Sequence, residues 1–287
     1  MFTLTAADGL PVHVNDWVPE GAPRAVVQIA HGLSEHSGRY APLARALTGR
    51  GYAVYANDHR GHGRTMHAGP GVLGEDGWNR LVGDMAALSG EIRERHPGAP
   101  LVVLGHSMGS FALQQYLLDH AASVDGAVLC GTAAVDLLFG HLAAVMGPGG
   151  IVEVFNAPFA PARTSADWLS RDEAQVDAYL SDPLCGSGLD EQAMLDLYTA
   201  AAERLTGTPK LPATPPLYVL VGEADSLNRG LEFSDELVER YRRAGVADLT
   251  YRTYPGARHE LFNETNREEV VADLLTWLDR VTAGRAR

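Results

Sequence analysis

Short apolar runs alternate along this chain with stretches of helical spacing, and that alternation constrains its fold more than any other feature. Residues 25–30, 52–56, 101–104, 127–130 and 217–221 are nearly continuous in Val, Ile, Leu, Ala and Tyr, and 249–254 reads as a further strand. A strand that is apolar along its whole length is buried on both faces, which implies a mostly parallel sheet with helices on either side. Between the runs, Trp78, Leu81, Val82, Met85, Leu88 and Ile92 fall on one helical stripe, as do Val270, Val271, Leu274, Leu275 and Leu278. Thr265 with Glu268, and Ser170 with Glu173 ahead of a helix over 171–180, have capping-box spacing. At the N-terminus, 2–4 and 12–17 flank Asp8-Gly9 and read as an antiparallel hairpin leading into the sheet.

The alternation breaks once. From Gly131 to about Pro215 no strand pattern stands out, only helical segments at 137–146, 171–180 and 191–205, closed by Pro209, Pro212, Pro215 and Pro216. We expect a doubly wound core of 1–130 and 212–287 interrupted by a helical cap over 131–211. A chain of 287 residues is long enough for one large core with such an insertion.

At 46% hydrophobic and 21% charged residues the composition is that of a globular protein. The net charge of −13 argues against nucleic acid and against strong attachment to anionic membranes. The first residues lack the basic and apolar regions of a secretory signal, and two cysteines cannot form a disulfide framework, so a cytoplasmic setting is expected. The most apolar stretch, 137–152, is broken by Gly and Pro and falls short of the roughly 20 residues of a membrane span. It serves either as cap core or as the wall of an acyl pocket.

The chemistry-bearing motif is Gly105-His106-Ser107-Met108-Gly109, which follows the run 101–104 and precedes a helical run at 111–119. On composition alone the pattern would arise roughly 0.14 times in such a chain, so its strand-turn-helix setting carries the weight. A serine on that turn is a nucleophile only if a base takes its proton, which calls for a later His and an orienting carboxylate. Two strand ends supply them: 217–221 runs into Glu223 and Asp225, and 249–254 runs into His259. Asp248 is a third carboxylate in reach of that order. An oxyanion hole needs one amide after the nucleophile, Met108, and one from the loop after the third strand, Leu33. His36, His59, His62 and His67 lack the convergent three or four ligands of a zinc site, so neither metal nor cofactor is expected.

His31-Gly-Leu-Ser-Glu-His-Ser-Gly-Arg-Tyr40, Asp58-His-Arg-Gly-His-Gly-Arg-Thr65, Gly105 to Gly109, Leu220-Val-Gly-Glu-Ala-Asp225 and Gly256-Ala-Arg-His-Glu-Leu261 together carry a resemblance. The chain is similar to the monoacylglycerol lipase and lysophospholipase-like branch of the α/β-hydrolase fold, the group often labelled serine aminopeptidase S33. That resemblance implies ester hydrolysis with Ser107 as nucleophile, His259 as base, Asp225 as its partner in preference to Glu223 or Asp248, and Leu33 and Met108 as oxyanion donors. Ser110 departs from the pattern, standing where many relatives have Gly, and is expected to alter helix packing. Glu35, Arg39 and Asp58-His59-Arg60 are expected to brace the loops.

The substrate implied is a small or single-chain acyl ester or lipid, with transient lipid-surface contact through the cap. A peptidase using the same three residues is the nearest alternative, with Glu153 or Asp167 as candidate groups for a substrate amine. A ligand-binding module on a retired hydrolase scaffold is a more distant one.

Overall fold

Eight strands form one sheet in the order β1-β2-β4-β3-β5-β6-β7-β8. The computed structural model describes residues 1–148 and 150–283. The strands are β1 (Phe2–Thr5), β2 (Pro11–Trp17), β3 (Ala25–Ala30), β4 (Tyr52–Asn57), β5 (Leu101–His106), β6 (Gly126–Cys130), β7 (Leu217–Gly222) and β8 (Leu249–Tyr254). β2 runs antiparallel to both of its neighbours, and every pairing from β4 to β8 is parallel. The expected α/β class and N-terminal hairpin are therefore observed.

Because β3, β4, β5, β6 and β7 are buried along their whole length, their alternating side chains build two cores. Val26 and Ala30 of β3 face one, and Ala25, Val27 and Ile29 face the other. The first core takes the stripe of α2 (Gly77–Arg95), from Trp78 to Ile92, together with α3 (Met108–His120). The second takes α1 (Ala41–Thr48) and α9 (Arg267–Thr282), through Leu43, Leu47, Leu274 and Leu278. Truncating one large side chain in such a core costs about 3–5 kcal/mol, so the helices are held by these faces. Gln28 is polar and fully buried in β3. It is tolerated because its Nε2 donates to the Met85 carbonyl and its Oε1 accepts from Ser89 Oγ.

Between β6 and β7 the chain forms α4 (Val135–Val145), α5 (Gly150–Asn156), α6 (Glu173–Ser181) and α7 (Glu191–Glu203). Leu138 and Leu142 of α4 and Leu197 and Ala200 of α7 join the first core, so the inserted helices share packing with the sheet. The last helix of the fold before β8 is α8 (Glu232–Arg243). Among the described residues no single helix is long and apolar enough to cross a membrane. Val135–Val145 and Gly150–Phe159 reach that length and apolar character only as a pair bent by 99°.

Both capping boxes are corrected by the structure. Helix α6 begins at Glu173 rather than Arg171, with Asp172 as the cap whose side chain accepts from the Ala174 amide. Ser170 Oγ instead donates to the Asn263 carbonyl, and Arg171 bonds Glu264. Helix α9 is preceded by Asn266, and Thr265 is turned toward the Glu264 carboxylate through both its amide and its hydroxyl. In the first case a contact between the insertion and the loop at 258–266 outcompetes the local cap, and in the second the neighbouring Glu264 carboxylate does.

Candidate active site

In the sheet order β3 lies between β4 and β5, so the chain winds away from β3 in opposite directions on its two sides. In open α/β sheets such a switch point leaves a crevice outside the carboxyl ends of the strands. The loop after β3 and the turn after β5 flank it here.

Ser107 occupies that turn with φ 51° and ψ −123°, a conformation that costs a side-chain-bearing residue about 1–3 kcal/mol and persists only where the surroundings over-determine it. They do so here. The Ser107 amide donates to the Cys130 carbonyl at 3.0 Å, and its carbonyl accepts from the Ser110 and Phe111 amides at 2.7 and 3.1 Å. A Cβ on Gly105 would strike the Gly109 carbonyl, and one on Gly109 would strike the carbonyls of Ala30 and His31. The two glycines thus let α3 close onto β3 and β5. Ser110 has a more direct part than packing: its hydroxyl donates to the Ser107 carbonyl at 2.6 Å and shares a hydrogen bond with the Thr132 hydroxyl at 2.8 Å.

Asp225 follows β7 and His259 follows β8, and both are 1% exposed. His259 Nδ1 donates to Asp225 Oδ2 at 2.8 Å, while Asp225 Oδ1 accepts from the Leu227 amide at 3.0 Å. The carboxylate is therefore pinned at both oxygens, and the imidazole carries its free nitrogen, Nε2, away from it. His259 Nε2 is buried with no hydrogen-bond partner among the described residues, and His259 and Ser107 line the same cavity. Glu223 and Asp248 are not part of this group: Glu223 accepts from Thr253 Oγ1, and Asp248 pairs with Arg280.

Two aromatic rings pack against the imidazole. Trp168, from the insertion, lies 4.9 Å from its centroid at 33°, and His106 lies at 4.8 Å. Trp168 had no signal in the sequence, since nothing local links it to a loop beyond β8. Burial acts to lower the His259 pKa, but the charge and hydrogen bond of Asp225 outweigh it and hold the pKa above 6.5. His106 lacks such a partner, and burial takes its pKa down to about 4, so a neutral ring backs the paired one.

Leu33 and Met108 line the cavity beside Ser107. The Gly32 amide is already used by Glu35 Oε1 at 2.6 Å, and Met108 opens α3, where the first amides have no intrahelical acceptor. Glu35 also accepts from Tyr40 Oη at 2.8 Å and from Arg39, which turns its other contacts to Glu260. Burial of Glu35 works against its charge, yet Arg39, His106 and His31 hold its pKa down at about 2. Asp58 accepts from the Ser37 and Arg64 amides, and Arg60 pairs with Asp84. These groups brace the loops, as the sequence led us to expect.

The four histidines weighed for zinc are not brought together. His59 and His62 sit against His31, His67 bonds the Pro11 carbonyl, and His36 pairs with Asp182 at 3.0 Å. Among the described residues, the grouping the fold does make is His36, Asp182 and Cys185. There His36 Nδ1 accepts the Gly38 amide, leaving the proton on Nε2 aimed at Asp182. A metal-bound histidine does the reverse, donating from its second nitrogen, so these residues make a hydrogen-bonded pair.

Buried neutral histidines make the fold acid-sensitive. Burial lowers His62, like His106, to about 4. Between about 6.5 and 4 these rings are protonated only in the unfolded chain, so it binds more protons and stability falls with pH, by about 1.4 kcal/mol per unit for each ring. Denaturant titrations at pH 7 and 5 should give a smaller unfolding free energy at pH 5, and His62→Gln should remove one ring's share of that slope. An identical slope in the variant would refute the assignment.

The cavity that receives Ser107 and His259 measures about 490 Å³, and its walls include Phe111, Leu138, Phe139, Phe155, Met194 and Leu197. Within the apolar stretch 137–152, Leu138, Phe139 and Leu142 are buried in the core, and Leu138 and Phe139, with Ile151 and Val152, also line the cavity.

Known proteins resemble the chain over most of its length. The model of the family described as serine aminopeptidase, S33, matches residues 21–266. The chain is 34% identical over 283 residues to the monoacylglycerol lipase of Mycolicibacterium smegmatis, covering 96% of this chain and 95% of that one. It is 32% identical over 290 residues to the human monoglyceride lipase, covering 98% and 90%. A thermostable carboxyl esterase from Bacillus coagulans, solved in complex with glycerol, superposes with a TM-score of 0.87 at 26% identity, over 98% of each chain. With a family model matching most of its length and relatives above 30% identity along it, the chain belongs to the serine aminopeptidase S33 family of α/β-hydrolases, in its monoacylglycerol lipase-like branch.

Proposed function

We propose that the protein is a serine carboxylic-ester hydrolase that cleaves single-chain acyl esters such as monoacylglycerols through an acyl-enzyme on Ser107. The observation that carries this reading is the unpartnered Nε2 of His259, backed by Asp225, in the same cavity as a serine held on a strained turn. In the reaction His259 Nε2 takes the Ser107 proton as Oγ attacks the ester carbonyl, and the Leu33 and Met108 amides receive the developing oxyanion. The C–O bond to the alcohol breaks as imidazolium returns the proton to the leaving oxygen. Water, deprotonated by His259, then attacks the acyl carbon and releases the acid and Ser107.

The apolar walls and the size of the cavity suit an acyl chain, and the named relatives are monoacylglycerol and monoglyceride lipases. We take 131–211 as a cap on the core of 1–130 and 212–287, with Leu137, Val145, Met146 and Val152 as its exposed apolar contacts for a lipid surface. A cytoplasmic setting goes with this reading, since Cys130 and Cys185 are unpaired, as a reducing compartment keeps them.

The peptidase alternative needs a free carboxylate for the substrate amine. Among the described residues lining the cavity, the carboxylates are Glu35 and Glu260, and both are committed to Arg39. Asp167 accepts from the Arg163 amide and Thr164 Oγ1 instead, and Glu153 is not among the lining residues. Parallel assays with a monoacylglycerol, a p-nitrophenyl ester and a proline naphthylamide should give turnover of the esters and little of the amide. Faster turnover of the amide would overturn the reading.

A further inference from the structure

We propose that Ser34 is a positioning residue for the oxyanion hole, acting through two hydrogen bonds to the inserted segment at Gly186 and Ser187. The inference rests on the ester-hydrolase reading above and deepens it.

Leu33, whose amide would hold the oxyanion, lies between two fixed points. On one side the Gly32 amide is tied to Glu35 Oε1 within the same loop. On the other, Ser34 is tied to the insertion twice: its hydroxyl donates to the Ser187 carbonyl at 2.6 Å, and its carbonyl accepts from the Gly186 amide at 2.9 Å. Ser34 takes φ 63°, in the left-handed region that favours glycine. A serine there is explained by what its hydroxyl reaches.

The partner segment is itself held firmly. Asp182 closes a turn, accepting from the Leu184 amide at its side chain and from the Cys185 amide at its carbonyl, and it pairs with His36. Beyond the turn, the Asp190 amide donates to the Gly71 carbonyl, and Gly71 packs so closely on the Gly188 carbonyl that a Cβ would overlap it. Gly71 in turn bonds Gly61. Residues 182–190 are thus clamped between two loops of the sheet domain, a stationary buttress for the oxyanion turn.

The test uses Ser34→Ala and Ser34→Gly in the full chain. Both remove the hydroxyl, and the glycine also removes the left-handed penalty, so a shared effect belongs to the hydrogen bond. On a short p-nitrophenyl ester we expect kcat to fall about tenfold in both, less than the ~10²–10³ lost with a whole donor, with KM changed less than twofold. Inhibition by a trifluoromethyl ketone, which mimics the tetrahedral oxyanion, should weaken by the same factor. Retention of kcat within twofold in Ser34→Gly, or a loss confined to KM, overturns the proposal. Ser107→Ala is assayed alongside: wild-type activity there overturns the ester-hydrolase reading itself, whereas an inactive Ser107→Ala with a fully active Ser34→Gly overturns only the role of Ser34.

Discussion

Ser107→Ala should lower kcat on any ester by about 10⁶-fold, the scale on which loss of a serine nucleophile removes the whole acid–base apparatus at once. The fold should be retained, because Ser107 is held in the turn through its own backbone groups. The amide still reaches the Cys130 carbonyl, the carbonyl still takes the Ser110 and Phe111 amides, and Gly105 and Gly109 still admit the helix. Steady-state kinetics beside a thermal melt make the check: a cooperative transition near that of the wild type, with turnover at background. A variant that turns over ester within tenfold of wild type would remove Ser107 from the chemistry.

Asp225→Asn should cost about 10⁴-fold in kcat while leaving the geometry in place, the effect measured when a serine hydrolase's carboxylate becomes an amide. An amide can turn an N–H toward His259 Nδ1, which forces the ring proton onto Nε2, the atom that has to accept one. The pH profile supplies a second reading. Burial lowers the His259 pKa, but Asp225 outweighs it, so the protonated, inactive ring persists above pH 6.5, and the acid limb of the wild-type rate should have its midpoint above 6.5. With the charge gone, burial is opposed less and that midpoint should move to lower pH. A loss under tenfold, or an acid limb that stays where it was, would separate Asp225 from the base.

The strands were legible because each is a compact apolar run, and their far ends were not, because they continue into Asn57, His106 and Gly222, residues that belong to loop chemistry rather than to the core pattern. Helix α8 was overlooked although Phe233, Leu237, Val238 and Tyr241 recur at helical spacing and are buried. Its many charges mask that stripe, and a period count would have found it. Helices α1 and α5, of 8 and 7 residues, are too short for periodicity to stand out. Ser170 misled because a local hydroxyl was credited to the nearest helix when a segment 93 residues away had the stronger claim, and Thr265 because the neighbouring Glu264 carboxylate takes both its amide and its hydroxyl.

At the site, Ser107, Asp225 and His259 could be singled out because the hydrolase order puts each just beyond a strand. The stacking of Trp168 on His259, the closure of Arg39 onto Glu260 and the Ser34 clasp each join an insertion or loop to a distant one. Single-sequence reasoning has no rule for such pairs, since only the folded sheet decides which loops meet.

The separation of those partners along the chain also bears on how the protein is made. Arg39 and Glu260 are 221 residues apart, His36 and Asp182 are 146 apart, and His259 reaches back 34 residues to Asp225. A ribosome delivers the turn bearing Ser107 well before the last strand. Every nascent chain that has not yet docked β7 and β8 carries a serine without its base, and an oxyanion loop without the Glu260 contact to Arg39. Long-range contacts of this kind form late, so on the proposed chemistry the cell meets no half-built esterase.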